Sequence, residues 1–196
     1  YSHKVNLYSY SGRLIKNIRL IINKTKKIKI LELGPGSGSI GSTLQNFYRD
    51  IEIDCIEPDS GFDSQLKLNG YKNYYKIEKL PLNIKYDLIL GIGVLEHLND
   101  PKSDLLNILS YLKADGTAIF QYPNIKSISA KIFFSKWDMN FEDGHISIPS
   151  LTGLKKIINE FSLVNYHSST IMSRGRLPFI PIRLNSVEKI VKKYKE

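Results

Sequence analysis

The sequence is poor in cysteine and in long apolar runs, and each absence excludes a class of protein. One cysteine, Cys55, stands among 196 residues, which excludes an internal disulfide framework and any all-cysteine metal site. Apolar runs of about eighteen residues are absent, so we expect no transmembrane segment. The first residues do not read as a signal peptide, and a cytoplasmic protein is the default expectation.

The composition is that of one globular domain, residues 1–196, with a basic surface. Hydrophobic residues make up 42% and aromatic residues 11% of the chain, which is too apolar for a disordered protein. The net charge is +9. Because the lysines are scattered, we expect solvated helix faces and no nucleic-acid partner; acidic or phosphorylated acceptors are the alternative. The 4 histidines lack metal-ligand spacing, so no metal is predicted.

Short apolar runs alternate with helical patterns along most of the chain. The predicted strands are 28–33, 51–56, 74–77, 86–92, 117–122 and about 163–168. The predicted helices are 14–22, 39–48, 59–68, 100–112, 149–160 and an amphipathic C-terminal helix within 186–194. This order predicts an α/β fold: a doubly wound, Rossmann-like, mostly parallel sheet of six to seven strands with helices on both faces, in three layers.

The most informative stretch runs from residue 28 to residue 41. An apolar strand that contains Glu32 is followed at once by a turn rich in glycine (Gly34, Gly36, Gly38) and then by a helical pattern. Glycine is needed where the backbone takes a positive φ or lies against a ligand. A strand, glycine turn and helix at the carboxyl edge of a parallel sheet predict a site for an adenosine-containing cofactor.

Two cofactors compete for this loop. Residues 36–41 match the dinucleotide fingerprint, and Glu57 follows about twenty residues on, where an acid takes ribose hydroxyls. An NAD(P)-dependent oxidoreductase is therefore one interpretation. That fingerprint, however, requires neither the acid Glu32 inside the strand nor a glycine as early as Gly34.

Three segments carry a resemblance that favours the other cofactor. They are Glu32-x-Gly34-x-Gly36-x-Gly38, the strand and turn of residues 86–98 with Val94-Leu95-Glu96-His97, and the turn Leu112-Lys113-Ala114-Asp115-Gly116. Together they resemble class I S-adenosylmethionine-dependent methyltransferases, over roughly residues 28–166, and most closely the broad bacterial branch that modifies small molecules and glycans. The resemblance implies a Rossmann-like fold and S-adenosylmethionine as cofactor.

The resemblance also implies which residues bind that cofactor. Glu57 matches the acid that holds both ribose hydroxyls, while Ile77 and Glu78 stand where the family often has an aspartate for the adenine. The implied cofactor-binding set is Glu32, Gly34, Pro35, Gly36, Gly38, Glu57, Pro58, Ile77, Glu78, Gly91, Gly93 and Val94.

Methyl transfer to a hydroxyl needs a base, and the chain offers two candidates. His145 follows an aromatic-rich stretch within 125–148, which we interpret as an acceptor-side insertion, and Glu142 or Asp143 is placed to orient it. His97 is the second candidate. For His145 a surface or capping role is the alternative, and for His97 a structural role at a helix start.

The sequence thus predicts methyl transfer from S-adenosylmethionine to a small or glycan-like acceptor, with oxygen as the preferred atom. A non-catalytic cofactor-binding module with the same fold is a further alternative. Residues 1–27 are predicted to form an N-terminal lid and helix, and 171–196 a tail whose basic amphipathic end is compatible with peripheral membrane contact. The acceptor and the oligomeric state stay open.

Overall fold

A computed structural model describes residues 15, 18, 27–48, 50–126, 128–133, 144–160, 165–167 and 188–191. The strands are β1 (Ile28–Leu33), β2 (Ile51–Ile56), β3 (Tyr71–Asn73), β4 (Tyr86–Ile92), β5 (Leu112–Gln121), β6 (Asn165–His167) and β7 (Glu188–Val191). The α-helices are α1 (Ser39–Gln45), α2 (Asp63–Leu68), α3 (Pro101–Ser110), α4 (Ile128–Phe133) and α5 (Leu151–Glu160). Single 3-10 turns cover Ser60–Phe62, Ile77–Lys79 and Leu95–His97.

The described strands are hydrogen-bonded in the order β3-β2-β1-β4-β5-β7-β6. The strands β1, β2 and β3 are parallel, and β7 runs antiparallel to both β5 and β6. The order reverses beside β1, which is the place where open α/β sheets bind ligands, outside the carboxyl ends of the strands. The predicted α/β fold class, with its mostly parallel sheet of six to seven strands, is confirmed.

The chain divides into two compact units at the boundary between Leu90 and Gly91, inside β4. In the first unit the core is built on strands that are apolar on both faces: Ile30 and Leu31 of β1 and Leu88 and Ile89 of β4 are at most 1% exposed. Such two-sided burial is typical of parallel strands covered by helices. The structure leaves the prediction of a single domain, 1–196, untested.

In the second unit, helix signals in the sequence explain where the helices begin. The carboxylate of Asp100 accepts the backbone N–H groups of Lys102 and Ser103, and Pro101 takes the first helical position of α3. The hydroxyl of Ser150 accepts the N–H of Gly153 at the start of α5. Each helix then buries one apolar stripe, with Leu105, Ile108 and Leu109 in α3 and Leu154 and Ile158 in α5.

Three of the predicted elements are wrong. The third strand lies at Tyr71–Asn73 rather than 74–77, because Tyr75 takes a φ of 62° and its N–H turns back to the Asn73 side chain. The fifth strand begins at Leu112 rather than at 117, since Leu112 is itself buried. Residues 188–191, predicted as part of a C-terminal helix, form β7, where β-branched Ile190 and Val191 pair with both neighbouring strands.

Some predictions lie outside the described residues. They include nearly all of the N-terminal lid, the aromatic residues 134–143 of the insertion, and the proline-containing stretch of the tail. Within the part of the chain that is described, no helix is long and apolar enough to cross a membrane.

Candidate functional site

The glycine turn after β1 is shaped by three residues with positive φ. Gly34, Gly36 and Gly38 have φ values of 55°, 55° and 76°, a region that side-chain-bearing residues rarely occupy. The N–H of Gly34 donates to the carbonyl of Ile56, and that of Gly38 donates to the carbonyl of Pro35. The turn therefore begins where β1 and β2 still pair and closes on itself before α1 begins.

Glu57 joins this turn to the carboxyl end of β2. Its Oε2 accepts the N–H of Gly36 at 2.9 Å, and its Oε1 accepts the N–H of Asp59 at 3.0 Å. The side chain is 6% exposed. A carboxylate has about four acceptor positions, so two remain for a ligand after these backbone contacts. The arrangement suits a diol, which would donate one hydroxyl to each oxygen.

Asn73, at the end of β3, fixes the backbone of Glu57. Its Oδ1 accepts the Glu57 N–H at 3.0 Å, and its Nδ2 donates to the Glu57 carbonyl at 2.9 Å. The same Nδ2 donates to Asp63, and Oδ1 also accepts the N–H of Tyr75. One amide thus holds the end of β2, and with it the direction in which the Glu57 carboxylate points.

Glu32 does not face solvent. It is 3% exposed, and Tyr71 donates its phenol proton to Glu32 Oε2 at 2.6 Å. The N–H of Gly41 also donates to this carboxyl group. Burial raises the pKa of Glu32 to about 7, and the hydrogen bonds from Tyr71 and Gly41 oppose that rise only in part. Glu32 is thus held beside the turn by Tyr71 and Gly41, and its contact with a cofactor stays a prediction.

Tyr71 stands between Glu32 and the carbonyl of Gly38, to which its oxygen lies at 3.0 Å. A Cβ added at Gly41 would lie 2.1 Å from the Tyr71 oxygen, and one at Gly38 would lie 2.9 Å from its ring. These two glycines therefore make room for a protein side chain, whereas a Cβ at Gly36 would have the Phe62 ring as its nearest neighbour, at 3.9 Å.

The remaining predicted residues of the first unit lie nearer the surface. Pro58 and Glu78 are exposed, and Ile77 is half-buried in the 3-10 turn Ile77–Lys79. A half-buried apolar side chain with an exposed carboxylate beside it is compatible with the face and edge of a purine. Their assignment to the adenine stays a prediction.

In the second unit, the end of β4 and the turn after it contain three further predicted residues. Gly91 is buried, Gly93 has a φ of 67°, and Val94 is half-buried. The N–H of Gly93 donates to the carbonyl of Gln121 at 2.8 Å. Gly93 therefore ends β4 in a turn that favours glycine, and the contact of all three residues with a cofactor stays a prediction.

The two candidate bases lie together. The His97 and His145 rings have centroids 5.0 Å apart in an edge-to-face arrangement. Two backbone bonds tie their segments, since Ile146 and Ser147 both donate their N–H groups to the carbonyl of Glu96. His97 Nδ1 lies 3.1 Å from the Gly144 carbonyl oxygen. Because a carbonyl only accepts, Nδ1 carries the proton and Nε2 keeps its lone pair in the neutral ring.

Glu96 completes this cluster. Its side chain is 4% exposed, burial raises its pKa, and its Oε2 has no hydrogen-bond partner among the described residues. Its carboxylate and the two imidazoles place their ligating atoms within 4.8 Å of one another. Histidine spacing along the chain did not anticipate this cluster, because residues 97 and 145 meet only through the fold.

Sequence reasoning missed Tyr71 and Asn73. Both lie in β3, which was predicted three residues too late, so neither was placed beside the glycine turn. The pair Asn69-Gly70, a typical helix stop after residue 68, could have served as the signal, because the next strand begins at the following residue. Asn69 has a contact of its own with the turn, since its Nδ2 donates to the Ser37 carbonyl at 2.9 Å.

Comparisons with known sequences give relatives that share part of their length with this chain. A ubiquinone biosynthesis O-methyltransferase of Rickettsia canadensis is 30% identical over 116 residues, which are 57% of this chain and 49% of that protein. A malonyl-[acyl-carrier protein] O-methyltransferase of Bacillus anthracis is 33% identical over 98 residues, 47% of this chain and 36% of that protein. The chain spans about half, or less, of the length of these curated relatives.

Solved structures show the same fold at low identity. The magnesium protoporphyrin IX methyltransferase of Synechocystis, with SAH bound, superposes with a TM-score of 0.69 at 11% identity over 93% of this chain and 82% of that chain. A possible histamine N-methyltransferase of Thermotoga maritima gives 0.67 at 17% identity over 91% of this chain and 87% of that chain.

A family match covers most of the chain and decides between the two cofactors considered for the glycine turn. Residues 6–168 match the methyltransferase domain family, which overturns the oxidoreductase interpretation. The chain belongs to the class I S-adenosylmethionine-dependent methyltransferases.

Proposed function

We propose that this protein transfers a methyl group from S-adenosylmethionine to a hydroxyl group of a small-molecule or glycan-like acceptor. The observation that carries the proposal is the contact between Gly36 and Glu57 at 2.9 Å. It brings a glycine-rich turn and a carboxylate with two free acceptor positions to the same end of the sheet. The proposed cofactor site combines these with the half-buried Ile77 and the exposed Glu78.

The bound cofactor supplies an electrophilic methyl group on a sulfonium. The acceptor oxygen forms a bond to that carbon as the carbon–sulfur bond breaks, and the hydroxyl proton passes to a base. His97 and His145 are the proposed groups for this proton. His97 is already held in the tautomer that accepts at Nε2, because Gly144 takes its Nδ1–H. The protein otherwise contributes position and exclusion of water.

Oxygen is favoured as the methylated atom by the curated relatives. The ubiquinone biosynthesis and malonyl-[acyl-carrier protein] enzymes are both named O-methyltransferases. Those names point to different acceptors, since one enzyme acts in ubiquinone biosynthesis and the other on malonyl-[acyl-carrier protein]. We propose a small-molecule hydroxyl for this chain and no nucleic-acid acceptor, since its basic residues are spread along the sequence.

The test is a screen for release of S-adenosylhomocysteine with polyhydroxylated phenols and nucleotide sugars, and with primary amines as the rival class. We expect turnover with a hydroxyl class, and a His145→Ala variant that loses at least about tenfold in kcat, as general bases contribute, while its affinity for S-adenosylmethionine is unchanged. His167→Ala, a substitution of the same type in β6, is the matched control. Methylation of amines alone would refute the hydroxyl acceptor, and full turnover in His145→Ala would remove that residue from proton transfer.

A further inference from the structure

We propose that Glu96, His97 and His145 form a binding site for one divalent transition-metal ion, with Zn²⁺ as the ion that suits the donors best. Two imidazoles and one carboxylate are a donor set that Zn²⁺ takes in open, three-ligand sites. The inference goes beyond the proposed methyl transfer, which needs no metal.

The first observation is proximity. The ligating atoms of the three side chains lie within 4.8 Å of one another. Around a tetrahedral Zn²⁺ with bonds of about 2.0–2.1 Å, ligand atoms are about 3.4 Å apart, so the three groups are close to the spacing that one ion requires. Two hydrogen bonds from the 146 and 147 N–H groups to the Glu96 carbonyl hold the two segments together without any ion.

The second observation is the unpartnered oxygen of Glu96. The side chain is 4% exposed, and Oε2 lacks a hydrogen-bond partner among the residues described. A buried carboxylate oxygen without a donor is unfavourable, because it has lost its hydration without gaining a hydrogen bond, and a cation at the cluster would remove that penalty. Among the described residues, His97 and His145 are the potential metal ligands that lie close to the Glu96 carboxylate.

The third observation is the hydrogen bond between His97 Nδ1 and the Gly144 carbonyl. Metal-binding histidines almost always donate their second ring N–H to a carbonyl or carboxylate, which fixes the tautomer and the ring. His97 makes this contact with the Gly144 carbonyl at 3.1 Å and keeps Nε2 for an ion. The His97 side chain is exposed and that of His145 is half-buried, so an ion has a path from solvent.

A bound ion would change how the acceptor is activated, and this part alone rests on the proposed function. With both imidazoles as ligands, the acceptor oxygen would take an open position on the ion and lose its proton to solvent water more easily. The metal site and the methyl transfer are tested by separate readouts, so the failure of one is distinguishable from the failure of the other.

The experiment is calorimetric titration of Zn²⁺ into the untagged, chelator-treated chain, with circular dichroism of every variant. We expect one ion per chain, and affinity at least about tenfold weaker in His97→Ala, His145→Ala and the isosteric Glu96→Gln, since even supporting contacts contribute that much. His167→Ala should bind as the wild type does. Cys55 is buried in β2 and does not compete.

Two results would overturn the site. One is a wild-type chain that takes up no stoichiometric Zn²⁺. The other is a set of folded cluster variants that bind Zn²⁺ as tightly as the wild type, which would place the ion elsewhere. In either case His97 and His145 would be left as two candidate bases in edge-to-face contact, and release of S-adenosylhomocysteine in the acceptor screen would be unaffected by chelator.

Discussion

The phenol oxygen of Tyr71 lies 2.6 Å from Glu32 Oε2 and 3.0 Å from the carbonyl oxygen of Gly38. A phenol carries one proton, so it can donate to only one of these acceptors at a time. The shorter distance is the one to Glu32, so the phenol donates to this carboxylate, and the Gly38 carbonyl oxygen is the second acceptor within its reach. The hydrogen bond to Glu32 opposes in part the rise to about 7 that burial gives the pKa of Glu32. A buried side chain from β3 thus supports the glycine turn.

Removing the Tyr71 hydroxyl should destabilise the protein and loosen the turn. Tyr71→Phe leaves the buried oxygens of Glu32 and Gly38 without this donor, for which we expect a loss of about 1–3 kcal/mol in the free energy of unfolding. Urea denaturation measures it. Tyr75→Phe is the matched control, because Tyr75 also donates to a carboxylate, that of Asp63, but is 43% exposed. Equal losses in the two variants would contradict a special role for Tyr71.

The titration of Glu32 should make stability depend on pH in a defined direction. Its folded pKa of about 7 lies above the ordinary 4.5, so the folded state holds the proton more tightly and protonation stabilises it. This contribution is complete below about pH 4.5 and is lost as the pH rises through about 7, a difference of about 3 kcal/mol.

Glu32→Gln, which is neutral at every pH, isolates this contribution. We expect the unfolding free energy of the wild type, minus that of Glu32→Gln, to fall as the pH rises from about 4.5 to about 7. Glu52→Gln is the control, because Glu52 is exposed and Lys27 lowers its pKa. The difference in unfolding free energy between the wild type and Glu52→Gln should therefore change little between about pH 4.5 and about pH 7. A pH-independent difference for Glu32→Gln would show that Glu32 titrates normally.

Gly41 and Tyr71 should be energetically coupled. A Cβ at position 41 would lie 2.1 Å from the Tyr71 oxygen and 2.8 Å from Cδ1 of Ile53. Gly41→Ala should therefore cost about 1–3 kcal/mol by overpacking. In the double variant Gly41→Ala/Tyr71→Phe the clash with the hydroxyl oxygen is gone, while that with Cζ of the ring, at 2.7 Å, remains. The combined loss should therefore be smaller than the sum of the two single losses. Additive losses would mean that the Tyr71 hydroxyl is not the reason why position 41 requires glycine.

The parts of the fold that follow from local patterns could be predicted from the sequence. The bounds of β1, β2 and β4 agree residue for residue, because each is a short apolar run with a clear stop. The bounds of β3 could not be predicted, since its end depends on the hydrogen bonds of the Asn73 amide with Glu57 and Tyr75. The strand β7 was not predicted, because its pairing with β5 joins positions about seventy residues apart in the sequence.

In the candidate site too, residues in local motifs could be predicted from the sequence, and contacts between distant residues could not. Motif residues such as Gly36 and Glu57 were recognisable because their types and spacing carry the resemblance, and the structure joins them directly. Glu32 was predicted to bind the cofactor, and the structure adds that its Oε2 accepts the phenol proton of Tyr71. No local pattern reports such a contact, since the two residues are 39 positions apart. The contact between His97 and His145 could not be predicted for the same reason.

The most direct test of the central claim is calorimetric titration of S-adenosylmethionine into the wild type, Glu57→Gln and Glu52→Gln. Glu52 is the second residue of β2 and Glu57 directly follows its last residue. Glu57 is buried beside the turn, whereas Glu52 is exposed. Because hydrogen bonds to a charged group contribute about 1.5–3 kcal/mol each, we expect Glu57→Gln to bind at least about tenfold more weakly and Glu52→Gln to bind as the wild type does. Wild-type affinity in Glu57→Gln, or no binding of S-adenosylmethionine by the wild type, would contradict the account.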